Sequence, residues 1–245
     1  MIKAVVFDLD DTLISEREYI RSGFESVSKE ITNKYNLDYK DVVKKINDLF
    51  SDSSKNVFNR VLEFFNIEYS NDYIVYLIEI YRNHNPKIKF FDDVIYTINY
   101  LKKINVKIGI ITDGYKESQR KKIQALKCND IFDKIIITDE LGREFWKPNK
   151  KPYEIMASEL NISFSEMIYI GDNEKKDFKG ANELGILTFK VERENGIYNS
   201  INVDESFQAK FKVKDIKSII QYIDNNSTKS EGVNGNEKNF ICNYS

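Results

Sequence analysis

The sequence predicts an α/β fold in which helices cover both faces of a parallel sheet. Two observations support this prediction: short apolar runs alternate with helical patterns along most of the chain, and one long stretch, residues 15–86, is helical throughout. Strand–helix alternation favours parallel pairing, because each crossover helix returns the chain to the same edge of the sheet. The long helical stretch is expected to be a separate all-helical insertion. The candidate strands are 2–8, 106–111, 134–138, 167–171 and 186–190.

Four helices are predicted within the insertion. Ser15 and Glu18 have the spacing of a capping box, which marks the start of the first helix. Asp38 is expected to cap the second helix. Each helix carries a stripe of apolar residues at helical spacing, and together these stripes predict a compact bundle. The four stripes are Ile20, Phe24, Val27 and Ile31; Val42, Ile46 and Leu49; Val57, Val61 and Phe64; and Ile74, Leu77, Ile78 and Tyr81.

The remaining segments complete the predicted domain organisation. Helices are expected at about 93–104 and 213–224. Residues 225–245 are rich in Asn, Ser, Lys, Glu and Gly, a composition that predicts disorder. The predicted units are a sheet-containing core, a helical insertion and a disordered tail, at 1–14 with 88–224, at 15–87 and at 225–245.

Composition and charge exclude several classes of protein. Hydrophobic residues make up 41% of the 245 residues, and the net charge of −2 arises from interspersed charges, so no nucleic-acid polymer is expected as partner. The lysine pairs at 121–122 and 175–176 are expected to lie on solvated helix faces. Cys128 and Cys242 are too few for a disulfide framework or a zinc site. With no membrane-spanning run and no secretory signal, a soluble cytoplasmic protein is expected.

The most informative residues are two acids at the end of the first apolar run. Asp8 and Asp10 lie two positions apart, so in an extended segment both side chains are on one face. Open α/β sheets bind their ligands at the carboxyl ends of the strands. Two like charges on one face are costly unless a cation lies between them or one of them carries a proton. The alternative is an ordinary strand-end turn, in which Asp is common.

A candidate anion site lies at the end of the second apolar run, where Thr112, Asp113 and Gly114 follow one another. A hydroxyl and two backbone N–H groups at the start of a helix suit the oxygens of a phosphate. The alternative is a simple strand-to-helix turn, in which the glycine supplies backbone freedom.

Two further segments supply an acidic pair and a lysine. Asp172 follows the fourth apolar run, which aims it at the same edge as the first two acids, and Asp177 lies five residues later. Asp177 has the alternative of an ordinary acid in the first turn of a helix. Lys147 precedes a proline in a polar connection, and its alternative is a solvated loop lysine, because Lys150 and Lys151 lie nearby.

Taken together, these residues resemble the haloacid dehalogenase superfamily in its phosphatase branch. The resemblance covers about residues 1–224, with four motifs in order and three of them at the ends of apolar runs. It implies a Rossmann-like core with a helical cap inserted between the first and second motifs. The motifs are Asp-x-Asp-x-Thr, a Thr or Ser, a Lys and an acidic pair, matched by Asp8, Asp10 and Thr12, by Thr112, by Lys147, and by Asp172 with Asp177.

The resemblance implies Mg²⁺-dependent hydrolysis of a phosphate monoester through an aspartyl-phosphate, with Asp8 as nucleophile. The implied metal ligands are the Asp8 side chain, the Asp10 backbone carbonyl and the Asp172 carboxylate, with Asp177 acting through water. Oxygen ligands of this kind suit Mg²⁺. Asp10 is the implied acid and base, protonating the leaving oxygen and later taking a proton from water. We expect only its carbonyl to touch the metal, which leaves its side chain free.

The other motif residues are implied to bind the phosphoryl group. The Thr112 hydroxyl and the backbone N–H groups of Asp113 and Gly114 would contact its oxygens. Lys147 would supply positive charge to the nucleophile and to the same oxygens. The implied substrate is a small phosphorylated metabolite, such as a nucleotide or a sugar phosphate, and the oligomeric state is left open.

Three alternative functions follow from the same resemblance. A sugar-phosphate mutase would use the same motifs and pass the phosphoryl group to another hydroxyl. A non-catalytic binding module is disfavoured, because every catalytic position is filled. A dehalogenase is disfavoured because that branch lacks the second aspartate, here Asp10, and needs no metal.

Residues of the predicted helical cap are candidates for substrate contact. Arg17 and Arg21 would reach a second anionic group, and Tyr19 or Phe24 would stack on a base. The alternatives are a solvated face for the two arginines and the cap's own core for Phe24. His84, the one histidine in the chain, is expected at the surface or in a hinge.

Overall fold

A computed structural model describes residues 1–194, 196 and 202–228 of the chain. Six parallel strands form one sheet in the order β3-β2-β1-β4-β5-β6. This is the strand order of a doubly wound, Rossmann-like sheet, so the predicted fold class is confirmed. The strands are β1 Ala4–Phe7, β2 Lys107–Thr112, β3 Lys134–Ile137, β4 Met167–Gly171, β5 Leu187–Val191 and β6 Phe211–Val213.

The central strands are apolar on both faces because helices cover both. All four residues of β1 are buried, and a strand buried on two sides carries a continuous apolar run rather than an alternating one. Nine α-helices lie within the described residues. They are α1 Glu16–Tyr35, α2 Tyr39–Asp52, α3 Val57–Phe64, α4 Asn71–Asn83, α5 Asp92–Lys103, α6 Lys116–Ala125, α7 Lys151–Leu160, α8 Lys179–Glu183 and α9 Ser218–Thr228.

Separate hydrophobic clusters lie on the two faces of the sheet. On one face, Val5 and Phe7 of β1 share a cluster with Ile98 of α5 and Ile219 of α9. On the other face, Val6 packs with residues of α7 and α8, including Tyr153, Met156 and Ala181. Each cluster excludes water from one side of the sheet, and burial of this kind contributes about 25 cal/mol for each Å² of apolar surface.

Helices α1 to α4 share a third cluster of their own. It contains Phe24 and Ile31 of α1, Ile46 of α2, Val61 of α3 and Leu77 of α4. Phe24 therefore lies in the core of the bundle. Phe64, which the sequence predicts on the inner stripe of α3, is 54% exposed, and the stripe continues through the buried Leu62 instead. The boundaries of the helical unit as a domain remain a prediction.

The two predicted helix caps have different outcomes. Asp38 accepts hydrogen bonds from the backbone N–H groups of Lys40 and Asp41, which confirms its capping role. Ser15 is the N-cap of α1 but makes no side-chain capping bond, so the predicted capping box is wrong. The backbone N–H of Glu16 donates instead to Oδ1 of Asp11, at 2.9 Å, and this bond satisfies one of the N–H groups of the first turn.

The end of the core differs from the sequence prediction. Residues expected to begin a helix at 213 instead finish β6, and α9 runs from Ser218 to Thr228. Asp215 holds this start, because its carboxylate accepts from the backbone N–H of Ser218 at 3.0 Å. Residues 225–228 are thus helical rather than part of a disordered tail, and 229–245 lie outside the described residues. Within the described part of the chain, no helix combines the length and apolarity needed to span a bilayer.

Candidate active site

The strand register brings three sequence motifs to one edge of the sheet. Phe7 of β1 pairs with Ile110 of β2 on one side and with Ile170 of β4 on the other. Asp8 and Asp172 follow β1 and β4 directly, and the backbone N–H of Asp8 donates to the carbonyl of Ile170 at 2.8 Å. Parallel strands end at a common edge, so these residues and Thr112 converge without any contribution from sequence proximity.

Three buried carboxylates form the centre of this edge. Asp8, Asp172 and Asp177 each place a carboxylate oxygen within 4.8 Å of the others. Oδ2 of Asp8 and Oδ2 of Asp172 are buried and have no hydrogen-bond partner among the described residues. Buried polar atoms without partners are rare in native proteins. A cation bound by oxygens would satisfy both atoms, so the residues present fit Mg²⁺.

Lys147, which precedes α7, pairs with two of the three acids. Its Nζ lies 2.6 Å from Oδ1 of Asp8 and 2.7 Å from Oδ1 of Asp177, and the side chain is fully buried. Burial alone would lower the pKa of Lys147, but Asp177 and Asp8 raise it above the ordinary value. Lys147 is therefore not a solvated loop lysine. Lys150 and Lys151 are exposed, and Lys151 is the first residue of α7.

The surrounding charges separate the pKa values of the acids. Burial raises the pKa of Asp172 to about 9, and the neighbouring Asp177 and Asp8 add to the rise. Burial also acts on Asp8, but Lys147 and Lys176 overcome it and lower the pKa of that carboxyl below its ordinary value. Asp8 is thus ionised next to a carboxyl group that resists ionisation. A divalent cation bound between them would offset the repulsion between the two carboxylates.

Asp177 is not an ordinary helix acid, because α8 begins only at Lys179. One carboxylate oxygen accepts from the backbone N–H of Asn173 at 2.9 Å, while the other accepts from Lys147. Gly171 makes room for this group. A Cβ at position 171 would lie 2.5 Å from Oδ2 of Asp177, too close for any side chain.

The Asp10 carboxylate lies apart from the three clustered acids and faces α6. Nζ of Lys122 is 2.7 Å from each of its oxygens, and Nε2 of Gln119 donates to Oδ2 at 3.1 Å. The prediction that Lys122 lies on a solvated face is wrong, because the residue is only 3% exposed. Gln119 and Lys122 are three positions apart, and this helical spacing places both on the inner face of α6. That spacing is the signal by which the sequence could have identified them.

The segment after β2 is held by a network of hydrogen bonds. The Gln119 side chain donates to the Thr112 hydroxyl and, at 3.0 Å, to the carbonyl of Asp113. The Asp113 carboxylate accepts from the hydroxyl of Thr138 at 2.7 Å and from the backbone N–H of Lys147 at 3.2 Å. Gly114 has φ = 133°, a conformation that L-residues rarely adopt. The segment therefore both turns the chain into α6 and fixes the backbone of Lys147.

Lys176 also differs from its predicted solvated position. Its Nζ is 3.8 Å from Oδ2 of Asp8, and the side chain is 25% exposed. Lys175, its neighbour, is exposed as expected. Sequence reasoning missed Lys176 because the loop after β4 does not follow a helical or strand period that would reveal which lysine turns inward.

Some residues of the helical unit are buried close to this edge of the sheet, and others are exposed. The Tyr19 ring is buried and its centroid lies 4.2 Å from Nζ of Lys122, whereas Arg17 and Arg21 are exposed. His84 is buried, with Nε2 2.7 Å from the Ser22 hydroxyl, so the surface position expected for it is wrong. Burial and the nearby Asp10 carboxylate raise the pKa of Glu16 to about 7.

The sequence matches a hydrolase family and relatives that are named as phosphatases. The sequence model of the haloacid dehalogenase-like hydrolase family matches residues 5–191. The chain is 28% identical over 232 residues to the glyceraldehyde 3-phosphate phosphatase of Methanocaldococcus jannaschii, covering 92% of this chain and 98% of that protein. It is also 28% identical over 196 residues to the pyrophosphatase PpaX of Halalkalibacterium halodurans, covering 78% and 83% of the two chains.

A solved structure supports the same fold. The crystal structure of a HAD phosphatase from Thermococcus onnurineus matches with a TM-score of 0.59 at 21% identity, covering 91% of this chain and 98% of that one. The family match and the phosphatase relatives confirm the predictions of a hydrolase and of a phosphatase. The chain belongs to the haloacid dehalogenase-like hydrolase family.

Proposed function

We propose that this hydrolase is a Mg²⁺-dependent phosphatase that cleaves small-molecule phosphate monoesters through an aspartyl-phosphate on Asp8. The observation that supports this proposal best is the asymmetry of the Asp8 carboxylate. One oxygen is 2.6 Å from Nζ of Lys147, and the other is buried without a hydrogen-bond partner, in a cluster with Asp172 and Asp177. A carboxylate held ionised in this way is a competent nucleophile.

In the proposed first step, an Asp8 oxygen bonds to phosphorus as the bond from phosphorus to the ester oxygen breaks. Asp8 and Asp172 would hold Mg²⁺ through their carboxylates and Asp10 through its backbone carbonyl, with Asp177 acting through water. The bound ion would supply positive charge that offsets the repulsion between an anionic nucleophile and an anionic phosphoryl group. Lys147 adds positive charge at Oδ1 of Asp8.

The remaining groups would manage the proton and the phosphoryl oxygens. The Asp10 carboxyl group would donate its proton to the leaving oxygen and then accept one from the water that hydrolyses the aspartyl-phosphate. The Thr112 hydroxyl and the backbone N–H groups of Asp113 and Gly114 lie before the N-terminus of α6, where partial positive charge favours an anion. These residues are the proposed phosphate contacts.

We also propose that residues 15–87 form a cap over a core of residues 1–14 and 88–224. Contacts from the helical unit to the site support this division. The Tyr19 ring lies over Lys122, and the Arg82 guanidinium is 3.5 Å from the centroid of the Tyr115 ring. Tyr115 follows the proposed phosphate contacts directly, so the helical unit borders the place where the rest of a substrate would lie.

The proposed substrates are small phosphorylated metabolites. The relatives named above act on glyceraldehyde 3-phosphate and on pyrophosphate, and both are compact anions. A panel for this chain therefore includes triose phosphates and pyrophosphate together with nucleotides and sugar phosphates. Product analysis on the sugar phosphates distinguishes hydrolysis from isomerisation, which a mutase would catalyse instead.

The experiment that tests the proposal measures phosphate release from p-nitrophenyl phosphate. Wild-type protein is expected to release phosphate with Mg²⁺ and to stop when EDTA is added. Asp8→Asn, which keeps the shape of the side chain but removes its charge, is expected to be inactive. Asp130→Asn, at an exposed position, serves as the control and should match wild type. Activity that persists in Asp8→Asn, or that survives EDTA, would contradict the proposal.

A further inference from the structure

Lys122 is a buried cation that the proposed chemistry does not use. It lies on the inner face of α6 with its side chain 4% exposed, and its Nζ is 2.7 Å from both Asp10 oxygens. Burying a lysine is costly unless a partner compensates its charge. Asp10 is that partner, 112 positions away in the sequence.

Gln119 holds the same carboxylate from a second direction. Its Nε2 is 3.1 Å from Oδ2 of Asp10, and the same amide group donates to the Thr112 hydroxyl and to the Asp113 carbonyl. The orientation of the Asp10 carboxylate is thereby fixed relative to the proposed phosphate contacts. The terminal torsion of an aspartate is otherwise broad, so an unheld carboxylate would sample many orientations.

We propose that Lys122, assisted by Gln119, is a positioning residue that holds the Asp10 carboxyl group against the leaving oxygen of the substrate. This inference rests on the proposed function, because it assigns Lys122 to the proton transfer described there. In that step Asp10, whose carboxylate pairs with Lys122 in the free protein, takes the proton of a bound phosphate monoanion. This O–H bond then breaks as the proton passes to the ester oxygen leaving phosphorus, and Asp10 is a carboxylate again. Lys122 then lies beside the newly formed negative charge. A misplaced acid can cost about 10²-fold in rate.

Lys122 also contacts the helical unit, through the ring of Tyr19. The ring centroid is 4.2 Å from Nζ of Lys122, so the ammonium group lies between an aromatic face and the Asp10 carboxylate. Cations are attracted to aromatic faces at this distance. Substitution of Lys122 by methionine would keep an unbranched side chain against the ring while removing the ammonium group, which makes it the informative variant.

The test compares two aryl phosphates whose leaving groups differ in basicity. Phenolate needs a proton as it leaves, whereas p-nitrophenolate leaves with little assistance. For Lys122→Met, kcat/KM is expected to fall about 10-fold to 10²-fold on phenyl phosphate and by less than about threefold on p-nitrophenyl phosphate. Lys122→Arg, which keeps the charge and the donors, is expected to recover part of the loss. Lys121→Met, which removes the same charge one position away from the residue that pairs with Asp10, is the matched control and should behave as wild type.

A double-mutant cycle shows whether Lys122 acts through Asp10. In an Asp10→Asn background, Lys122→Met is expected to have almost no further effect on phenyl phosphate, because the group that Lys122 positions is already disabled. Thermal unfolding of each variant verifies that it is folded, and the double variant removes both charges, so it avoids a buried unpaired ion. Equal losses on the two aryl phosphates, or a Lys122→Met loss that persists in full beside Asp10→Asn, would overturn the inference. If the wild-type protein hydrolyses neither aryl phosphate, that result contradicts the proposed function instead.

Discussion

At the scale of single residues, Lys147 is the buried cation that pairs with two acids of the site. Its ammonium group contacts Asp8, Asp177 and the Tyr169 hydroxyl, all at or below 2.9 Å. None of these groups has access to bulk solvent. Removing one partner of a buried ion pair is far more costly than removing an exposed one, because the remaining charge is left without water or a counterion.

We therefore predict that Lys147→Met destabilises the protein as well as inactivating it. The free energy of unfolding is expected to fall by about 3–5 kcal/mol, the usual result of breaking a buried pair. Lys150→Met, which removes an exposed ion pair with Glu183, is the control and should cost less than about 1 kcal/mol. Urea titration of both variants measures the difference. Similar losses for the two would show that Lys147 is not part of a buried charge network.

Asp172 gives the metal-free protein a predictable pH dependence. Its pKa is about 9 in the folded chain and 3.8 in the ordinary state, so between these values the folded state holds a proton that the unfolded state has lost. The free energy of unfolding must then fall as pH rises through that window. Glu16, with a pKa raised to about 7, contributes with the same sign.

The corresponding experiment measures the unfolding of chelator-treated protein at several pH values between about 5 and about 9. Stability of the wild type is expected to decline with pH, and Asp172→Asn is expected to decline less, since it cannot release that proton. The difference between the two slopes gives the contribution of Asp172 to the pH dependence separately from that of Glu16. Parallel slopes in the two proteins would show that the Asp172 carboxyl ionises normally.

At the scale of secondary-structure elements, two helix starts with similar sequences use different hydrogen bonds. Asp38 caps α2 with its own side chain, whereas in α1 the N–H of Glu16 donates to Asp11 and the hydroxyl of Ser15 makes no capping bond. The residue type permits a cap in both cases.

These helix starts predict unequal effects of removing the two side chains. Asp38→Ala is expected to lower the free energy of unfolding by about 1 kcal/mol, the typical value of an N-cap. Ser15→Ala is expected to have a much smaller effect, because no side-chain bond is lost. Chemical denaturation of the two variants tests this, and phosphatase activity should be unchanged in Asp38→Ala. A larger loss for Ser15→Ala would contradict the hydrogen-bond assignment.

At the scale of the whole molecule, the proposed metal site joins separate parts of the chain. Asp8 follows β1, and Asp172 and Asp177 follow β4, which lies more than half the chain away. An ion bound between these segments would stabilise the folded state only, since the unfolded chain does not hold the acids together.

We predict that Mg²⁺ raises the stability of chelator-treated protein in a concentration-dependent way. At about 100 times its dissociation constant the gain should be about 2.7 kcal/mol. Thermal unfolding with added MgCl₂, against NaCl of equal ionic strength, measures it. Asp172→Asn is expected to lose most of this gain. An equal gain in that variant would place the bound ion elsewhere.

Sequence reasoning predicted the parts of this fold that follow from local pattern and from the geometry of parallel sheets. Apolar runs located five of the six strands, because a strand buried on both faces must be apolar along its length. The short β6 was missed, since its three residues carry too little pattern, and the last of them, Val213, was predicted to begin the final helix. Asp8, Thr112 and Asp172 were expected together because parallel strands end at one edge, and the structure places them there.

What the sequence determined by itself is therefore the fold class, most of its elements and the acids that end its central strands. Only the tertiary structure decided which charged side chains face inward. Lys121 and Lys122 are chemically identical neighbours, yet only the second pairs with Asp10. The burial of a charge depends on a partner that the fold supplies from a distant part of the chain, and no local period encodes that partner.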